Sequence, residues 1–487
     1  MIEQAPALSE PSWIESLRLK YRKARVDFWN KRAGAVSTQW AGYYHRKLEA
    51  TYQFLIDPGQ SILEIGCSQG NLLAALKPSR GVGVDFSSEM IKAGRTKHPE
   101  LCFIEADGHD LNLNEKFDFI ILSDLANDIW DVQKILQQVA RHSSSRTRII
   151  FNFYSHLWEL PLTMVSKLGL AQPTLYQNWL TEGDISNLLC LENFEIVRSW
   201  QEILWPFFTP FLTTFFNRFL VRLWPFNHLA LCNFVIARLK VKRTESAEKP
   251  RVSVIIPARN EAGNIDQIFT RTPQMGRETE FIFIEGHSQD KTFSAIEEAI
   301  KNHPDRPAKL FKQTGMGKGD AVRKGFAEAS GDIFMILDAD LTVPPEDMSR
   351  FYDLLASGKA EFINGVRLVY PMEKQAMRFL NLLANKAFGL TFSWLLGQTL
   401  KDTLCGTKAL YREDYERIAA HRSYFGDFDP FGDFDLLFGA AKQNLKIVDL
   451  PIRYCQRTYG TTNIQRWKHG VLLLRMVLFA AARLKFV

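Results

Sequence analysis

Short apolar runs, each followed by a longer amphipathic segment, recur through both halves of this 487-residue chain. That alternation is the mark of parallel sheets covered by helices. In the first half the runs are Ser61–Ile65, Val82–Asp85, Leu101–Glu105, Phe117–Leu122 and Arg148–Phe153; in the second they are Val252–Ile256, Glu280–Ile284, Ile333–Leu337 and Glu361–Asn364. Between them Lys240–Pro250 (KVKRTESAEKP) is charged, lacks large apolar residues after Val241 and closes on proline, which reads as a linker. The halves share no repeat and carry different fingerprints. We therefore expect an α/β chain of two unlike domains, 1–240 and 251–487, joined by 241–250.

Composition narrows the classes. With 46% hydrophobic and 23% charged residues, neither disorder nor a fibrous repeat is credible. Six scattered cysteines show no CxxC or Cys/His spacing, so a disulfide framework and a zinc site are not expected, and a reducing cytoplasm is. The N-terminus lacks the order of a signal peptide. The longest charge-free apolar stretches, Ile203–Asn217 and Leu223–Ala237, are interrupted by Pro206, Pro210 and Pro225 and fall short of the roughly 18–20 residues a span requires. A net charge of +6 is too diffuse to argue for nucleic acid, but suits an anionic membrane surface or phosphorylated ligands.

In the first half, Ser61–Gly70 (SILEIGCSQG) runs from strand to glycine turn to helix. Glu64 interrupts the apolar run one residue before its end, and Gly66 and Gly70 let backbone approach a ligand. Asp85, twenty-one residues after Glu64, ends the next strand, where an acid accepts both hydroxyls of a ribose. Asp107 and Gly108 follow the third strand and could face an adenine edge. Asp124, after the fourth, is an acid near a transferring group or else a helix N-cap. Asn152–Tyr154 reads as a strand end. A dinucleotide site would need GxGxxG, which ExGxxxG does not match.

This ordered set resembles the class I S-adenosylmethionine-dependent methyltransferases over roughly residues 40–240. The resemblance implies a Rossmann-like fold with S-adenosylmethionine held by Glu64, Gly66, Gly70, Asp85, Asp107 and Gly108. Ser68 departs from the middle glycine of the usual first motif. The methyl acceptor is not readable.

In the second half, RVSVIIPARNE is a buried strand broken by Pro257, and the next strand ends at Glu285, followed by GHSQD to Asp290. GMGKGDAVR is a flexible loop entering a helix. An apolar strand then delivers Asp338 and Asp340 at its carboxyl end. Alternate residues of an extended chain point the same way, like charges side by side require a cation, and oxygen-only ligation suits Mg²⁺ or Mn²⁺ bridging to a diphosphate.

These motifs, with NGVR, DTLCGTKAL and RTYGTTN in order, resemble the family 2 inverting glycosyltransferases over 251–470, specifically the dolichol- or polyprenyl-phosphate mannosyl- and glucosyltransferases. The resemblance implies a GT-A fold in which Pro257, Arg259, Glu261, Glu285, Asp290 and Lys318 line a nucleotide-sugar pocket, Asp338 and Asp340 hold the metal, and Arg367 meets phosphate. Glu285 stands where the family usually has Asp. Thr342 stands where some members supply a third ligand. Asn463 replaces a frequent lysine, leaving Arg457, Arg466 or Lys468 for an acceptor phosphate. Asp435 is the expected base if the acceptor is a hydroxyl, with Asp402 and Asp433 as alternatives.

The expected protein is bifunctional: a cytoplasmic, membrane-peripheral enzyme that moves a hexose from a nucleotide-sugar to a lipid phosphate and a methyl group to an unnamed acceptor. The alternative keeps the glycosyltransferase, gives it a saccharide or small natural product as acceptor, and makes the first domain a binding or scaffold module. Basic amphipathic segments Glu373–Gly397 and His469–Val487 would reach a membrane surface, unless they pack on the sheet. Trp205–Leu239 is either a cap on the first domain or a second membrane-facing surface.

Overall fold

The computed structural model describes residues 12–34, 39–167, 175–240, 248–371, 379–424, 432–459 and 466–487. The chain divides into two compact units, Met1–Leu239 and Lys240–Val487. Residues 241–247 of the expected linker, Arg378 and Asn463 lie outside the described set, as do the side chains of Arg466 and Lys468.

The first unit is built on β1 (Ser61–Ile65), β2 (Arg80–Asp85), β3 (Cys102–Glu105), β4 (Phe119–Ser123), β5 (Arg148–Tyr154), β6 (Phe194–Glu202) and β7 (Cys232–Leu239). Their order is β3-β2-β1-β4-β5-β7-β6. The first five strands pair in parallel, and β7 runs antiparallel to both neighbours. The apolar runs alternate strictly: Leu63, Ile65, Ile120 and Phe151 enter one core layer, Ile62, Ile121 and Ile150 the other. A strand covered on both faces is apolar at every position, which is why these read so plainly. β6 and β7 were not expected as separate strands. β7 lies inside the apolar stretch read as a cap or surface, and only its antiparallel partners distinguish it.

The second unit has β8 (Val252–Ala258), β9 (Thr279–Glu285), β10 (Ala308–Lys312), β11 (Ile333–Ile336), β12 (Phe362–Val366), β13 (Lys408–Tyr411) and β14 (Ile447–Pro451), in the order β10-β9-β8-β11-β13-β12-β14. It is a mixed sheet, with β13 antiparallel to β11 and β12. Ile255, Ile284 and Ile336 pack on one face, and Val254, Phe283 and Met335 on the other. Register brings Ala258 beside Glu285 and Ile255 beside Ile336, so the acids following these strands emerge along one edge. Crevices at the carboxyl ends of parallel strands are where such sheets bind ligands.

No helix among the described residues is long and apolar enough to cross a membrane. The helix Phe379–Leu396 buries Phe392, Leu395 and Leu396, while Leu383, Leu390 and Trp394 of the expected stripe face outward. In the helix Arg466–Ala480, Leu473 and Met476 are buried while Leu474 and Leu478 are exposed.

Candidate active sites

At the end of β1 the chain turns through Gly66 at φ 77° and Gly70 at φ 74°. A side chain at Gly66 would meet Leu125 at 2.7 Å, and one at Gly70 would meet Phe103 at 2.5 Å, so glycine is required twice over. Ser68 adopts φ 51° with a side chain present, and its N–H donates to Asp85 Oδ2 at 2.9 Å. The Ser87 N–H reaches Asp85 Oδ1 at 2.9 Å. Burial raises the Asp85 pKa against these two amides. Glu64 is buried with Oε2 unpartnered, and burial pushes its pKa up to about 8.

The helix Ser12–Arg32 contributes further groups. Arg22 pairs with Asp107 at 3.2 Å, and Asn30 Oδ1 accepts from Ser87 Oγ at 2.6 Å. Asp107 also accepts from His109 at 2.6 Å; burial opposes its ionisation, but His109 and Arg22 prevail and lower the pKa to about 2. Gly108 packs against Ile65 and Ile135, where a methyl group would come within 2.9 Å of each.

Asp124 does not cap a helix. That role falls to Asp131, whose carboxylate accepts from Lys134 N at 3.0 Å. Asp124 Oδ1 instead accepts from Tyr44 Oη at 2.7 Å and Asn152 Nδ2 at 2.5 Å, while Tyr52 Oη donates to Asn152 Oδ1 at 2.7 Å. Burial lifts the Asp124 pKa to about 7 despite both donors. Asn152, the strand-end residue, thus holds an acid poised to take a proton near neutrality.

In the second unit, the Lys318 ammonium meets Asp338, and Arg457 joins Glu261 at 2.8 Å to Asp340 at 2.6 Å. Burial opposes ionisation of Asp338, but Lys318, Lys408 and Arg367 hold its pKa below the usual range. Glu261 is raised to about 7 by burial, with Arg457 opposing and Asp340 reinforcing. Asp340 Oδ1 accepts from the Thr342 N–H at 3.1 Å and its hydroxyl at 2.8 Å.

Glu285 accepts from the Ser288 N–H at 2.5 Å, and Asp290 from Thr292 N at 3.0 Å and Tyr459 Oη at 3.2 Å. Pro257 does not break β8 but lies within it, one residue before its end at Ala258, and Arg259 is exposed just beyond the strand. Arg367 is clamped by Asp402 at 2.7 and 2.9 Å, which assigns Asp402 to holding that guanidinium.

Asp435 is paired elsewhere, with Arg422 at 3.2 Å. Of the three candidate bases, Asp433 is the one whose charge reaches Lys318, and its Oδ1 lies 3.1 Å from the fully buried Lys408 ammonium. The sequence reading missed Lys408 and Gly406. A methyl group at Gly406 would overlap the Lys318 ammonium and come within 2.5 Å of Asp338 Oδ2. The quoted CGTKAL motif was the signal for both.

No cluster of three or more His, Cys, Asp or Glu suited to a metal occurs among the described residues. Two carboxylates still fit Mg²⁺ or Mn²⁺, provided substrate phosphate and water complete the shell. The unpartnered Glu64 oxygen and the amide-held Asp85 likewise fit a nucleoside cofactor bearing polar hydrogens.

Residues 253–418 match the family model for glycosyl transferase family 2, and residues 62–145 match a methyltransferase domain. The chain joins a methyltransferase domain to a family 2 glycosyltransferase domain. It is similar to a dolichol-phosphate mannosyltransferase of Pyrococcus furiosus, 28% identical over 44% of this chain and 59% of that one. It is also similar to an undecaprenyl-phosphate 4-deoxy-4-formamido-L-arabinose transferase of Edwardsiella ictaluri, 24% identical over 46% of this chain and 64% of that one. The chain therefore spans about three-fifths of the length of these relatives. A solved magnesium protoporphyrin IX methyltransferase from Synechocystis overlays 46% of this chain at 18% identity and a TM-score of 0.33, covering 99% of its own length.

Proposed function

We propose that the second domain transfers a hexose from a nucleoside-diphosphate sugar to a polyprenyl-phosphate-type lipid, and that the first transfers a methyl group from S-adenosylmethionine. The observation that carries the sugar reading is the meeting of Asp338 and Asp340 with Lys318 and Arg457 at one strand edge. Both named relatives carry a lipid phosphate in their names.

An acceptor phosphate oxygen attacks the anomeric carbon opposite the departing diphosphate. The new C–O bond forms as the old one breaks, which inverts the centre. Phosphate is ionised near neutrality and needs no base. Asp338 and Asp340 would hold Mg²⁺ or Mn²⁺, which supplies positive charge to the leaving diphosphate. Lys318 and Arg457 turn from the carboxylates to phosphate oxygens, and Arg367 is kept in place by Asp402. Such aimed charge is usually the largest catalytic contribution. The outward leucines of helices Phe379–Leu396 and Arg466–Ala480 support peripheral attachment at the inner membrane face, where a lipid acceptor would be met.

A saccharide acceptor is the second reading; Asp433, whose charge reaches Lys318, would then take the hydroxyl proton. In the first domain, Gly66, Gly70, Asp85 and Asp107 would hold S-adenosylmethionine, and Asp124 would accept the proton released by an acceptor hydroxyl.

The test is incubation with a panel of nucleotide-sugars, polyprenyl phosphate and S-adenosylmethionine, with products weighed by mass spectrometry. Sugar-loaded lipid phosphate supports the first reading. A glycosylated saccharide with no lipid product supports the second.

A further inference from the structure

The segment between β6 and β7 is built inside out. It contains α- and π-helical turns at Leu212–Thr214 and Phe215–Phe219 and a further turn at Leu220–Arg222. Its inward positions are Thr213, Asn217 and Val221, spaced four apart and all buried. Two of these three are polar. Leu212, Phe215 and Phe219, on the opposite side, are exposed. A helix on a water-facing surface has the reverse arrangement.

The inward polar groups are fully used within the segment and its support. Asn217 Oδ1 accepts from Trp205 N at 2.7 Å, and its Nδ2 donates to Trp205 O at 2.7 Å and Tyr43 Oη at 2.8 Å. Thr213 Oγ1 accepts from Thr209 N at 2.7 Å. The fold of this excursion is therefore secured by hydrogen bonds on its inner side, and its apolar side chains are left for the outside.

Two further features aim those side chains outward. Phe211 is 91% exposed and sits at φ 64°, a conformation bulky residues rarely adopt. Trp224 is 79% exposed. Beside them, Trp158 Nε1 donates to Leu229 O at 3.0 Å, which ties in the helix Glu159–Lys167 with its exposed Leu160 and Met164. Exposed apolar side chains gathered on one segment mark an interaction site.

Charge selects the occupant. The Phe208–Leu229 excursion contains no acid, and Arg218 is exposed among its aromatic side chains. Within the excursion, exposed Phe, Trp and Leu beside Arg218 and without a carboxylate suit an interface of anionic headgroups over acyl chains.

We infer that the Phe208–Leu229 excursion of the first domain inserts its aromatic side chains into an anionic phospholipid bilayer. This goes beyond the acceptor assigned to the second domain and does not rest on it, because exposure and charge pattern alone carry it.

The test uses the full chain with vesicles of phosphatidylcholine, with and without 30% phosphatidylglycerol (about one anionic lipid in three), in a flotation assay. Substitution of Phe211→Asp with Phe215→Asp should lower the vesicle partition coefficient at least tenfold, and Arg218→Glu alone by about threefold on anionic vesicles only. Both positions are solvent-exposed, and S-adenosylmethionine binding by calorimetry verifies that the variant is folded. Bromine-labelled lipid should quench tryptophan emission in the parent and less in Trp224→Phe. Partition unchanged in the double variant overturns the inference. So does loss of a dimer in lipid-free sedimentation, which would make this face a contact between copies. Sugar transfer to a short, water-soluble polyprenyl phosphate checks the acceptor reading separately, since it requires no membrane.

Discussion

Asp85 and Asp124 of the first site are held in the opposite way to Asp338 and Asp340 of the second. In the first domain, Asp85 and Asp124 are held by amide and hydroxyl donors, and burial raises both. In the second, Asp338 and Asp340 each rest on a cation, and Asp338 is driven below the usual range. The difference follows the charge of the proposed ligands. A sulfonium cofactor is cationic and suits acids held by neutral donors. A diphosphate is anionic and needs cations in reach, with the carboxylates serving to hold those cations ready.

The contrast can be broken most sharply at Asp338. Asp338→Asn should lower sugar transfer by about 10²–10³, the scale of losing one preorganised charge, and leave S-adenosylmethionine affinity unchanged by calorimetry. Equal loss of both would show that the variant unfolds the chain.

Asp124→Asn comes next. Oδ1 is kept as an acceptor for Tyr44 and Asn152, so the fold should hold. Methyl transfer should fall by about 10²-fold, the low end for removing a positioned base. The parent rate should rise with pH through about 7 and level off, and the variant should lack that rise. Stability carries the opposite sign. The folded-state pKa of Asp124 is raised, so the folded state binds the extra proton between the ordinary aspartate value and about 7. Its contribution is fully present below that window and is lost as pH rises through it. Thermal unfolding at pH 5 and pH 8 should differ less in the variant than in the parent.

The acids of the second domain were not equally legible. Asp338 and Asp340 could be read because an apolar strand delivers them, and strand periodicity places alternate residues together. Asp435 was expected as the base and instead faces Arg422, because the helix starts at Phe434 and residues two apart differ by about 200° around its axis. Lys408 escaped notice because a lysine in β13 reads as an exposed edge, whereas it is buried against Asp433. The strands of both parallel cores were plain from their continuous apolar runs. β13 and β14 were not, because their sequences mix polar and apolar residues and their places depend on distant partners.

A smaller effect is expected at Gly406. Gly406→Ala pushes a methyl group into the Lys318–Asp338 pair and should cut sugar transfer about tenfold, equivalent to 1.4 kcal/mol, with methyl transfer intact. Smallest is Ser68→Gly, which relieves a positive φ worth about 1 kcal/mol before the entropy of glycine offsets part of it. Its melting point should shift by no more than a few degrees, and cofactor affinity should stay within threefold.

The central claim is that Asp338 and Asp340 grip a divalent ion only together with a diphosphate. Calorimetric titration of Mn²⁺ into the full chain, with and without a nucleoside diphosphate, tests it most directly. The account predicts weak Mn²⁺ binding alone, at least tenfold tighter binding with the diphosphate present, and loss of that gain in Asp338→Asn. Diphosphate that binds equally well without metal, or a gain that survives in Asp338→Asn, would contradict it.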